Sequence, residues 1–82
     1  MTPTQCRMAR AALEWRTADL ARAANVGANT VNRFETGRDA RISTVEKLRS
    51  ALEAAGITFI AENGGGVGVR FREPAAKRRT ET

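Results

Sequence analysis

Ala28, Asn29, Asn32 and Arg33 place a methyl, two carboxamides and a guanidinium at i, i+1, i+4 and i+5, positions that share one side of a helix. A carboxamide offers a donor and an acceptor side by side, and a guanidinium offers a planar fork of donors. Such groups suit flat partners with fixed donor and acceptor patterns. Arg33 can donate to guanine O6 and N7 together, and an asparagine can pair with adenine N6 and N7, each good pair contributing ~1–3 kcal/mol of discrimination. Ala28 can offer only its methyl, most naturally to a thymine methyl. The bland alternative is a solvated polar helix face, so the elements that hold these residues decide the matter.

Thr17 to Thr36 reads as two short helical stretches hinged at Asn25-Val26-Gly27. Leu20, Ala21 and Ala24 give the first an apolar face, and Val31 and Phe34 give one to the second. Two short helices can then pack steeply around small residues, the geometry of a helix-turn-helix. Ala21 keeps them close, and Asn25 accepts the positive φ that the turn requires. Thr17 is expected to cap the first helix. Gly27 stands where a hydroxyl cap for the second is usual and contributes no side-chain oxygen. Ala28, Asn29, Asn32 and Arg33 then lie opposite Val31 and Phe34, free to enter a DNA major groove.

Flanking donors fit the phosphates. Arg16 and Thr17 begin a helix whose free N–H groups and dipole favour an anion, Thr30 adds a hydroxyl, and Arg38 and Arg41 follow the recognition helix. Contacts of this kind position a protein without reading sequence. Simple solubilisation is the alternative for each arginine. Arg10 and Glu35 fall on inner faces of their helices and are expected to form an ion pair that orients the recognition helix; the alternative is two unrelated surface charges.

Around this motif, Thr2-Pro3-Thr4-Gln5 has the pattern of a helix start, with threonine as cap and glutamine returning a bond. The first helix is predicted over about 3–14, burying Cys6, Ala9, Leu13 and the stem of Arg10, with Trp15 as a lid. Gly37 ends the recognition helix. Ser43 and Glu46 suggest a second capping box for a helix that buries Val45, Leu48, Leu52 and Ala55 and stops at Gly56. Beyond Gly56 the apolar period becomes alternating: Ile57, Phe59 and Ala61, then Val67, Val69 and Phe71. Gly64-Gly65-Gly66 is expected as a three-residue hairpin loop that puts both sets on one face. The fold class is therefore mainly α, a compact four-helix bundle with a C-terminal two-stranded β-hairpin. Residues 1–56 form the helix-turn-helix domain, 57–72 the hairpin and 73–82 a disordered tail.

Residues 5 to 55 resemble the DNA-binding domain of the phage repressor and Cro proteins, the XRE-type helix-turn-helix family. Leu20-Ala21, Asn25-Val26, Thr30 to Glu35 and Gly37 carry the likeness. The resemblance implies a lambda-repressor-like bundle of four or five helices and a dimer on a partly palindromic operator. It also implies base contacts from Ala28, Asn29, Asn32 and Arg33, and the Arg10–Glu35 pair. Gly27 departs from the usual hydroxyl cap, Asn25 from the usual turn glycine, and the hairpin from the common fifth helix.

An isolated hairpin is marginal in water and leaves an edge that invites a further strand. Ile57, Phe59, Val67, Val69 and Phe71 are accordingly expected at a homodimer interface, with two recognition helices ~34 Å apart on DNA. The alternative is that the hairpin merely covers the protomer's own core.

Composition excludes other classes. The 82 residues suffice for one small domain, and the formal net charge of +5, from fourteen Lys and Arg against nine Asp and Glu, favours a polyanionic partner. With no histidine and a single cysteine, no imidazole-based catalysis and no zinc site are expected, so neither enzyme activity nor a cofactor is anticipated. The longest charge-free stretch, 54–61, is too short to span a bilayer, and the N-terminus lacks the apolar core of a signal peptide, so a soluble cytoplasmic protein is expected. Two functions fit: a dimeric transcriptional repressor that binds double-stranded DNA, or an antitoxin-like module whose main partner is another protein.

Overall fold

The computed structural model describes residues 1–38, 41–61 and 64–72 of the chain. Four helices are followed by a two-stranded antiparallel sheet: α1 (Pro3–Leu13), α2 (Thr17–Ala24), α3 (Ala28–Glu35), α4 (Ile42–Ala54), β1 (Ile57–Ile60) and β2 (Gly68–Phe71). The expected tail, 73–82, lies outside the described residues.

Local rules set most boundaries. The Thr2 hydroxyl accepts from Gln5 N–H at 3.1 Å and the Gln5 side chain accepts from Thr2 N–H at 2.9 Å, a reciprocal cap that starts α1 with Pro3 in its first turn. Three helices end alike, on a left-handed residue followed by an N–H that reaches back five positions. Glu14 (φ 58), Asn25 (φ 59) and Gly37 (φ 80) are those residues, and the bonds run from Trp15 to Arg10, Val26 to Ala21 and Arg38 to Arg33. Glycine and asparagine adopt this conformation readily; Glu14 does so without that help.

Three expected boundaries are corrected. Thr17 does not cap α2: Arg16 does, because the Asp19 carboxylate accepts Arg16 N–H at 2.8 Å and thereby fixes residue 16 as the cap. Ser43 and Glu46 do not form a capping box, because Val45 N–H already bonds Arg41 O at 3.0 Å and Ser43 lies inside the first turn of α4. An earlier start adds main-chain bonds where the box would add side-chain ones. The hairpin loop is longer than three residues, since β1 ends at Ile60, opposite Gly68, and 61–67 connect them. Register still pairs Ile57 with Phe71 and Phe59 with Val69, so both apolar sets share a face.

The core lies where the helices and the sheet meet. Cys6 and Ala9 from α1, Leu20 from α2, Val31 from α3, and Leu48 and Leu52 from α4 are fully buried. Ala21 and Ala24 are also buried, where α2 meets its neighbours. The inward face of the hairpin closes one side: Ile57 is 2 % exposed, and Phe59, Val69 and Phe71 pack half-buried against the same core. The Ile57 side chain is therefore taken up inside the protomer's own core. Gln5 ties α1 to the sheet, its Nε2 donating to both Ile60 O and Gly68 O at 3.0 Å. Arg49 stands over the Phe59 ring at 5.9 Å and bonds Glu53 at 3.1 Å, linking α4 to β1. Among the described residues no helix is long and apolar enough to cross a membrane.

Candidate nucleic-acid interface

α2 and α3 are joined by residues 25–27. Asn25 turns the chain through left-handed space, Val26 closes the helix end, and Gly27 (φ −76, ψ 152) leads into α3 in extended conformation. Val31 and Phe34 are buried one turn apart, which fixes the rotation of α3 about its axis. Ala28, Asn29, Asn32 and Arg33 are exposed on the other side, and Thr30 is half-buried between the two faces. Among the described residues, no internal hydrogen bond or ion pair engages the side chains of Asn29, Asn32 or Arg33. Their donors and acceptors are left to solvent or to a ligand.

The C-terminal end of α3 is fastened by one helix. Arg10 donates from Nε and Nη2 to the two Glu35 carboxylate oxygens, at 2.7 and 2.9 Å, and from Nη1 to Trp15 O at 3.1 Å. Cys6 Sγ donates to the same carboxylate at 3.3 Å, and Arg7 Nη1 donates to Glu35 O. Burial pushes the Cys6 thiol up to about 12, and the adjacent Glu35 carboxylate adds to the shift, so it stays protonated and donates. The hydrogen bond to Glu35 holds the Arg10 guanidinium above its ordinary value, outweighing its partial desolvation. Arg10 was an expected partner for Glu35; Cys6 and Arg7 were not. Cys6 and Arg7 lie beside Arg10 at i−4 and i−3, and that spacing from a predicted ion-pair residue was the signal available.

Glu35 is the sole carboxylate in α3, and it is buried and neutralised. The outward face is thus free of negative charge. Arg16 and Arg38 are exposed at the start of α2 and just past α3, Arg41 is exposed before α4, and Thr17 is half-buried in the first turn of α2. Unsatisfied N–H groups at the start of α2 and of α3 add partial positive charge.

A family model described as a helix-turn-helix domain, in the XRE-like group, matches residues 4–58, well over half of the chain. The chain belongs to the helix-turn-helix domain family. No curated protein matches it. The match begins within α1 and ends inside β1, so it spans the full helical bundle and leaves most of the hairpin outside. At the level of the family, the helix-turn-helix domain makes this chain a DNA-binding regulator.

Proposed function

We propose that the protein is a sequence-specific transcriptional regulator, a homodimeric repressor that reads a partly palindromic operator with α3 in the major groove. The observation that carries this reading is the unengaged polar face of α3. It presents Asn29, Asn32 and Arg33 without internal partners among the described residues, on a helix whose other face is buried. Arg33 pairs with a guanine, Asn29 and Asn32 with adenines, and Ala28 packs on a thymine methyl. Arg16, Thr17, Thr30, Arg38 and Arg41 hold phosphates on either side and set the register of α3 in the groove. Repression follows from occlusion, the simplest action for one small domain with an exposed recognition helix.

Selection from a random duplex library, followed by mobility-shift titration, tests it. The expected result is a half-site motif repeated with two-fold symmetry, about one helical turn between centres, and affinity that falls steeply with salt. Arg33→Ala relaxes preference at one base position, whereas Arg38→Ala weakens all sequences alike and lowers the salt slope. Selection that yields no motif, together with tight association with a different protein, would favour a protein-binding module instead.

A further inference from the structure

Opposed residues of an antiparallel pair alternate between those that exchange both main-chain bonds and those whose N–H and C=O point outward. Arg72 N–H donates to Gly56 O at 2.7 Å, so in this register Thr58/Arg70 and Ile60/Gly68 are the bonded pairs. Gln5 leads independently to the same parity: its single Nε2 reaches both Ile60 O and Gly68 O at 3.0 Å, which requires carbonyls that converge. Phe59 N–H and C=O therefore point away from β2 along the outer edge of β1. Among the described residues no hydrogen bond engages them.

The two outer edges of this sheet differ in charge. β2 contains Arg70, and Arg72 follows directly, both exposed, whereas 54–61 carries no charge at all. Positive side chains commonly block an edge against a further strand, and β1 has none. Ile60, 40 % exposed, lies on the outward face of the same strand.

We propose that β1 pairs with β1 of a second copy of this chain, antiparallel about a two-fold axis at Phe59, to make a four-stranded sheet continuous across the dimer. The proposal rests on the dimeric reading above and assigns its interface. An uncharged strand meeting itself is self-complementary, as an isologous contact requires, and sets no charged strand residue opposite a like charge; the Arg49 that stands over each Phe59 is paired with Glu53 of its own helix. Because the outward main-chain groups alternate, Phe59 exchanges bonds with Phe59 of the partner subunit. Thr58 then stands opposite Ile60 of the partner subunit, so each Ile60 gains a cross-strand neighbour on the outward face. The inward face of the hairpin stays on its own protomer's core.

Sedimentation velocity on the full chain without DNA tests this register. The wild type is expected at twice 8.9 kDa. Thr58→Glu with Ile60→Glu sets like charges opposite each other across the dimer while position 58 faces the protomer's own Arg70, and it is expected to weaken the dimer more than tenfold. Thr58→Glu with Ile60→Lys sets opposite charges there and restores it. A monomeric wild type, or a dimer that survives the double glutamate substitution, overturns the proposal. Hydrogen exchange needs no variant: protection of the Phe59 amide that rises with protein concentration supports the pairing, and open exchange in a dimeric sample overturns it. Neither measurement uses DNA, so a protein that dimerises through β1 but selects no operator refutes the repressor reading alone. A monomer that binds a half-site specifically refutes this assignment alone.

Discussion

The two ends of α3 are built on opposite principles. At its C-terminus, Cys6, Arg7 and Arg10 of one helix converge on the carboxylate and carbonyl of Glu35, all within a partly dry interface. At its N-terminus, Gly27 supplies no side-chain cap, and only main-chain bonds from Thr30 and Val31 to Gly27 O close the first turn. A helix proposed to read bases has to be aimed from one end and kept unobstructed at the other. Fastening the far end fixes direction without covering Ala28 and Asn29, and a bare near end leaves N–H groups for a phosphate or a water.

Removing the fastening is expected to have the largest effect. Arg10→Ala strands the Glu35 carboxylate, whose side chain is 6 % exposed, and costs about 3–5 kcal/mol in denaturant unfolding, the usual loss when one partner leaves a buried pair. Arg7→Ala removes one hydrogen bond from a side chain that water reaches, and its effect is smaller. Equal losses from the two variants would show that the carboxylate bears no special share of the fastening.

The thiol gives a pH signature of the same end. Cys6 is held at about 12 in the folded chain against 9.0 as its ordinary value, so it retains its proton in the fold at pH values where the unfolded chain loses it. Its contribution to stability is full below pH 9 and is lost between about pH 9 and 12, at up to ~1.4 kcal/mol per pH unit. Cys6→Ala should unfold more readily at neutral pH yet show a shallower alkaline decline. Matched pH profiles of the two proteins check this, and parallel slopes would refute it. At neutral pH, alkylation of Cys6 should follow global unfolding, since the side chain is fully buried.

How much of this could be read from residues alone depended on range. The helix-turn-helix was legible because its determinants are local: the Leu20 and Ala21 face, the Val31 and Phe34 face, and the turn at Asn25. Pro3 and Gln5 likewise declared the start of α1. The start of α2 was misplaced because threonine is a good cap in isolation, while Asp19 selects its neighbour Arg16 from three residues away. The bend at Glu14 carried no signal, since nothing in a glutamate announces positive φ. Long-range partners were the least visible. The second role of Gln5, bonding both strands of the hairpin, spans 55 and 63 positions and is invisible to any local pattern. It also explains the loop: with Ile60 and Gly68 gathered at Gln5, the strands close there and 61–67 become the connection. For the interface, types and periodicity sufficed to place Asn29, Asn32 and Arg33 outward, because the opposite face had to be apolar.

The bare end of α3 offers the smallest and sharpest contrast. A side chain at residue 27 meets no steric bar: φ is −76, and an added Cβ has Thr30 Oγ1 as its nearest neighbour at 3.9 Å. Gly27→Ser should therefore supply the missing cap and stabilise the protein by only a few tenths of a kcal/mol, since glycine is already tolerated there. Operator affinity should hardly change. Gly27→Asp caps equally well and adds favourable charge at the helix start, yet places a carboxylate beside Thr30, a proposed phosphate contact. Its thermal stability should rise while its DNA affinity falls and its salt slope flattens. Opposite signs from one substitution separate an end left open for a ligand from an end that is merely imperfect: if both variants gain stability and keep affinity, the N-terminus of α3 does not face the DNA backbone.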